Sequence, residues 1–208
     1  MCIEVNSTFE RLADSIADRG YAVIDQFLSN AEVQDILKSS ELRDSQDDFR
    51  RAGIGKDQNR QINETIRGDY IRWIDNNSAS PPVAVYLTKI QTLIEYLNRS
   101  LYLSLKDYEV HMTVYPPGAF YKRHLDQFNR DDHRKLSAIC YLNNDWMEEN
   151  GGQLRMFLPE GPVDLLPIAG RFVCFRSDMV EHEVLPATKP RLSLTGWILD
   201  QFISLKHL

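Results

Sequence analysis

DYEVHMTVYPPGAFYKRHLD (107–126) is where the periodicity of this chain changes. Upstream, apolar residues recur at helical spacing; from here on they alternate or run continuously in short β-forming stretches. DYEVHMTVY, FYKRHLD, KLSAICYL, GQLRMFL, RFVCF, HEVLPA and RLSLTGWIL follow one another, separated by YPPG, YLNNDWMEENGG, PEGPVD and IAGR. Pro, Gly and Asn/Asp clusters of that kind are turn signals, so seven or eight short strands are expected. Ahead of them, Phe9, Leu12 and Ile16 form a stripe that Ser7 or Thr8 can cap and Gly20 can end. YAVID (21–25) reads as a strand, and Asn30 as the cap of a helix through Ile36 and Leu37. The polar stretch 43–65 reads as a long loop, followed by a strand near 66–74. SPPVAVYLTKIQTLIEYLNRSL then reads as a helix with Val83, Leu87, Ile90, Ile94 and Leu97 on one face. The expected fold is mainly β with flanking helices (α+β). A helical, mixed lead (1–105) packs its N-terminal and central helices on one sheet of a jelly roll, about 106–200, in a single domain, 1–208.

Composition narrows the function. The chain has 208 residues, 43% hydrophobic and 10% aromatic, enough for a sizeable core. Its net charge of −6 argues against nucleic acid or an anionic membrane as partner. No apolar run approaches the roughly 20 residues that cross a bilayer, and MCIEVNSTFE does not read as an export leader. Cys2, Cys140 and Cys174 are odd in number and lack CxxC spacing, which fits free thiols in a reducing cytoplasm.

HLD at 124–126 places an imidazole and a carboxylate two residues apart, on one face if the stretch is a strand. His182 in HEVLPA supplies a third donor from a strand expected to face the first. Two histidines and one carboxylate form a facial triad with open positions, the set suited to non-haem Fe(II). In RLSLTGW, Arg191, Ser193, Thr195 and Trp197 share one face and Leu192, Leu194 and Ile198 the other. A guanidinium and a hydroxyl turned into a β-lined cavity are accounted for by a dicarboxylic acid, with Tyr115 and Tyr141 able to add phenolic hydrogen bonds.

HLD, HEV and RLSLTGW, in that order, resemble the 2-oxoglutarate- and Fe(II)-dependent dioxygenases, in their prolyl-4-hydroxylase-like branch. IRGDYIRWID (66–75), CYLNNDW with GGQLRMF, and HEVLPA (182–187) resemble the hypoxia-inducible-factor prolyl hydroxylases and their bacterial relatives. The resemblance covers about residues 50–200. It implies a double-stranded β-helix in which His124, Asp126 and His182 hold iron. Arg191 pairs with the distal carboxylate of 2-oxoglutarate, helped by Tyr141 and Thr195. Tyr115 lies beside the cosubstrate, and Ile139 and Leu154 are apolar lining. Arg67, Asp69 and Arg134 face the substrate, although for Arg67-Gly68-Asp69 a local salt bridge is an equal reading. The implied reaction uses O₂, and ascorbate as reductant, to hydroxylate a prolyl residue in a protein, releasing succinate and CO₂. Elongation factor Tu is a candidate substrate, the stretch 43–65 a candidate lid, and a monomer the favoured state.

The sequence departs from the animal enzymes. YPPGAFYKRH is one residue shorter, the loop from Asp126 to Tyr141 one longer, and neither a long C-terminal helix nor a preceding zinc-binding segment is seen. Two other readings stay open on the residues alone: an oxygenase of the same superfamily with a free amino acid or nucleic acid as substrate, and a non-catalytic jelly-roll sensor of metal and metabolite.

Overall fold

The computed structural model describes residues 2–43, 48–53, 63–127 and 132–202, with side chains from Ser7 onward in the first helix. The elements run α1 (Cys2–Arg19), β1 (Tyr21–Ile24), α2 (Asn30–Leu37), α3 (Ser40–Arg43), β2 (Arg50–Arg51), β3 (Tyr70–Trp73) and α4 (Pro81–Leu101). Then follow β4 (Asp107–Tyr115), β5 (Tyr121–His124), β6 (Arg134–Tyr141), β7 (Leu154–Leu158), β8 (Gly161–Leu165), β9 (Phe172–Arg176), β10 (Glu181–Val184) and β11 (Arg191–Leu199).

Two sheets face each other. The larger has the order β1-β9-β6-β11-β4-β3-β2 and the smaller β5-β10-β7-β8. Strands β4 to β11 therefore pass between the layers and wind into the expected jelly roll. Period-two alternation gives the larger sheet two separate duties. Its outer residues, including Val110, Met112, Leu136, Ala138, Cys140, Phe172, Cys174, Leu194 and Ile198, form one core with Phe9, Leu12 and Ile16 of α1, Val33 and Ile36 of α2, and the apolar face of α4. Its inner residues, Tyr115, Ile139, Tyr141, Val173 and Phe175, pack with Leu154, Met156 and Val184 of the smaller sheet. The helices thus cover one sheet, as the sequence predicts.

Local departures have local causes. Helix α1 begins at Cys2, so Ser7 and Thr8 lie within it rather than at its cap. The cap of α2 is Ser29, not Asn30: its side chain accepts from the Glu32 amide while Glu32 reaches back to the Ser29 amide. Ser80 at the start of α4 makes no cap bond of its own. Its amide and hydroxyl instead donate to buried Glu41 of α3, each at 2.6 Å. Docking therefore outweighs capping for α4. Val83, Leu87, Ile90, Leu93, Ile94 and Leu97 are all buried, at roughly 1.5–3 kcal/mol each against about 1 kcal/mol for a cap. PEGPVD, expected as a turn, contributes β8; Pro162 is tolerated because β8 is an edge strand pairing only with β7. Of the expected 43–65 loop, residues 44–47 and 54–62 lie outside the described residues.

Candidate active site

The inner faces of β4, β11 and β6 form a grid fixed by register. Arg191 lies opposite Tyr115 of β4. Ser193 lies between Thr113 of β4 and Tyr141 of β6, Thr195 between His111 and Ile139, and Trp197 between Glu109 and Ser137. Nothing bulkier than glycine fits β11 at 196, where a Cβ would meet the backbone of Glu109 and Val110. The close approach of β4 and β11 that makes the grid depends on that residue.

Across the cavity, His124 ends β5 and His182 lies directly opposite it on β10. The two strands are hydrogen-bonded neighbours in one sheet, not the facing strands expected from sequence. Asp126 stands in the bend just after β5, so it is brought in by the turn rather than by strand alternation. Donor atoms of His124, Asp126 and His182 all lie within 4.8 Å of one another. The Asp126 oxygens are 3.5 Å from His124 Nε2 and 3.7 Å from His182 Nε2.

The surroundings fix the state of each donor. His124 Nδ1 lies 2.7 Å from the Lys122 carbonyl and His182 Nδ1 3.1 Å from that of Val180. A carbonyl only accepts, so each Nδ1 carries the proton and each Nε2 lone pair is free to bind a cation. Burial pushes the His182 imidazole down to about 4; Asp126 opposes this and His124 adds to it, leaving His182 neutral at ordinary pH. Burial raises the Asp126 carboxyl, but the two histidines and Ser137 more than offset it and hold it far below the usual range. The Ser137 hydroxyl donates to Asp126 Oδ2 at 2.6 Å and lies 2.9 Å from the Ser177 hydroxyl. Phe175 packs edge-on to His182 and Tyr121 stacks flat on His124 with ring centres 3.6 Å apart. Two imidazoles whose Nδ1 atoms are engaged by carbonyls and an ionised carboxylate held by Ser137 suit a divalent metal.

Arg191 is 2% exposed. Its Nε donates to the Gly152 carbonyl at 2.9 Å, and the guanidinium lies 5.1 Å from the Tyr115 ring and 4.9 Å from the Tyr141 ring. Arg191 Nη2 and Tyr141 Oη are both buried without a hydrogen-bond partner. Burial raises the Tyr141 phenol, so it remains an O–H donor. Two buried donors left unpaired cost stability unless a ligand satisfies them, and a carboxylate accepts from both. Thr195 is half-buried, its hydroxyl 3.0 Å from that of Ser193, while Ile139 and Leu154 line the same interior.

The remaining sequence candidates sit differently. Arg67 grips Asp69 through two bonds, 2.8 and 2.6 Å, donates to the Gly53 carbonyl and lies 4.2 Å over the Tyr121 ring. Asp69 is only 1% exposed and both its oxygens accept from Arg67, so the local salt bridge is present, with Arg67 over the ring that stacks on His124. Arg134 donates twice to Glu109 and stacks 3.5 Å over Trp197.

Sequence reasoning missed Ser137, Gly152 and Asn143. Asn143 accepts from the Leu192 amide at 2.7 Å and donates to the Leu192 carbonyl at 3.0 Å, clamping the start of β11 beside Arg191. Gly152 has φ +72°, and a Cβ there would lie 2.9 Å from the Ala187 Cβ and 3.3 Å from Arg191 Cδ. The doubled glycine in ENGGQ was a signal for it; a lone serine in KLSAICYL offered none.

The sequence signature of the 2OG-Fe(II) oxygenase superfamily matches residues 110–199. Human prolyl hydroxylase EGLN3 is 31% identical over 207 residues, covering 92% of this chain and 83% of that protein. A Pseudomonas putida prolyl-4-hydroxylase structure superposes with TM-score 0.83 at 42% identity, covering 93% of this chain and 100% of its own. A Trichoplax adhaerens prolyl hydroxylase in complex with a hypoxia inducible factor oxygen degradation domain peptide fragment gives TM-score 0.85 at 27% identity, covering 96% and 92%.

Proposed function

Because this chain belongs to the prolyl hydroxylases of the 2OG-Fe(II) oxygenase superfamily, we propose that His124, Asp126 and His182 hold its iron and that Arg191 and Tyr141 anchor 2-oxoglutarate. The enzyme is a dioxygenase that hydroxylates a prolyl residue and releases succinate and CO₂. Fe(II), 2-oxoglutarate and O₂ supply the oxidising chemistry, with ascorbate as the usual reductant. The observation that most supports the residue roles is Arg191, a cation at 2% exposure with Nη2 unpaired, set against Tyr115 and Tyr141, which pack in one cluster with Phe175, the ring that lies against His182.

What the chain itself does follows from its atoms. His124, Asp126 and His182 would hold Fe(II) as a three-donor set of the kind that leaves positions for cosubstrate and oxygen. Ser137 and the two backbone carbonyls keep the donors in one orientation. Arg191 holds the far end of the diacid, and Tyr115, Ile139 and Leu154 exclude water around it. Prolyl hydroxylases act on protein substrates, and the Trichoplax enzyme is seen with such a peptide. For this chain a proline-bearing protein is the proposed target, with elongation factor Tu a candidate. The helical lead shares its core with the larger sheet, which supports one oxygenase domain, and two buried free thiols, Cys140 and Cys174, support a cytoplasmic setting. Among the described residues no helix is long and apolar enough to cross a membrane.

The test is proteome-wide mass spectrometry of cells with and without the enzyme, seeking a proline that gains one oxygen. Purified enzyme should form succinate with the identified peptide, and His182→Ala should not. Succinate formation by His182→Ala equal to that of the native enzyme would overturn the assignment of the triad.

A further inference from the structure

Among the described residues, five buried polar side-chain atoms on the three grid strands have no partner: His111 Nδ1, Thr113 Oγ1, Tyr141 Oη, Arg191 Nη2 and Trp197 Nε1. Arg191 and Tyr141 are used by the reading above. Thr113 is not. It is 2% exposed, and a valine would fill the same volume without an unpaired hydroxyl, so the oxygen is retained at a cost to stability.

Its place in the grid says what it meets. Thr113 is two residues from Tyr115 on the same face of β4 and directly opposite Ser193, which is itself two residues from Arg191. The Arg191 guanidinium lies 5.1 Å from the Tyr115 ring and 4.9 Å from the Tyr141 ring, and Thr113 is diagonal to Arg191 in the register of β4 and β11. Directly paired residues have Cβ atoms about 4.5–5.5 Å apart and diagonal ones about 7–8 Å, within reach of a ligand held between them. Ser193 is the other hydroxyl in that row, but it is engaged with Thr195. Thr113 is left as the unengaged donor. A carboxylate offers about four acceptor positions, more than Arg191 and Tyr141 fill.

We propose that the Thr113 hydroxyl donates a third hydrogen bond to the distal carboxylate of 2-oxoglutarate, and so helps the enzyme select a diacid over a 2-oxo monoacid. The inference rests on the cosubstrate reading given above, and the experiment separates the two. The full-length protein loaded with Mn(II) is titrated calorimetrically with 2-oxoglutarate and with 2-oxopentanoate, which lacks the distal carboxylate. Thr113→Val should weaken 2-oxoglutarate binding about 10-fold, as expected for losing a bond to a charged group. Its affinity for 2-oxopentanoate should not change, and Thr113→Ser should restore most of the loss. Unaltered 2-oxoglutarate affinity in Thr113→Val overturns the proposal, as does an equal loss for both ligands, which marks a packing role. If the native protein binds no 2-oxoglutarate, the cosubstrate reading itself fails and takes this one with it. Should the valine variant not fold, Thr113→Cys, of near-equal volume with only a weak donor, is held to the same criteria.

Discussion

Ser137 donates to Asp126 Oδ2, the oxygen nearer His182, and so holds the carboxylate in one orientation between the two histidines. Outer partners of this kind typically contribute 10- to 100-fold to metal affinity. Ser137→Ala is therefore expected to weaken metal binding about 10-fold, read by competition with a chelator, with little change in the fold. His111 makes a different prediction. Burial, helped by Arg67 and Arg134 and opposed by Asp126, pushes its imidazole down to about 3, against about 6.5 in an unfolded chain. Below pH 6.5 the unfolded state then binds more protons, so stability falls as pH falls, levelling off only near pH 3. Between pH 7 and pH 5 the loss from this one residue is about 2 kcal/mol. Urea unfolding at the two values should show that slope in the native protein and a shallower one in His111→Phe. An equal slope in both would assign the acid sensitivity to other groups.

Elements differ in whether a change touches the site. The capping box at Ser29 stabilises α2, whose Glu32 also pairs with Lys89 of α4 on the outer side of the larger sheet. Ser29→Ala should cost about 1 kcal/mol in thermal or urea unfolding and leave turnover unchanged. Gly152→Ala should act on both. A left-handed residue with a side chain costs roughly 1–2 kcal/mol, and the added methyl presses on the guanidinium stem of Arg191. Loss of stability together with weaker 2-oxoglutarate binding is expected, where Ser29→Ala gives the first alone. The same contrast explains what could be read from sequence. Alternation in RLSLTGW puts Arg191, Ser193, Thr195 and Trp197 on one face and Leu192, Leu194 and Ile198 on the other, as observed, and helical spacing locates α4. Period says nothing about side chain to backbone contacts between distant segments. Asn143 clamping Leu192 and Ser137 bracing Asp126 were therefore invisible, as was Asp69 being spent on Arg67. The relation of His182 to His124, neighbouring rather than facing, is likewise a matter of strand order, which turns and strands do not encode locally.

For the molecule as a whole, ligands that bind only the folded state should stabilise it by mass action. Mn(II) at about 100 times its dissociation constant contributes about 2.7 kcal/mol on its own. In a chain of this length that raises Tm by about 5–10 °C. His182→Ala should keep a cooperative transition but lose the shift, and a full shift in that variant would place the metal elsewhere. The helical layer and the sheet interior belong to separate clusters, which makes this separable: the interior can lose a ligand without losing Phe9, Leu12 or α4 from their contacts.

That division has a consequence for how such a protein can change over time. Along β11, odd-numbered positions address chemistry and even-numbered ones address the helical layer. A saturation library of the strand should accordingly give a two-beat record, with solubility failing at 192, 194 and 198, cosubstrate binding failing at 191 and selectivity drifting at 193 and 195. New substrates can then be explored by lineage after lineage on alternate residues, while the intervening ones keep the scaffold intact.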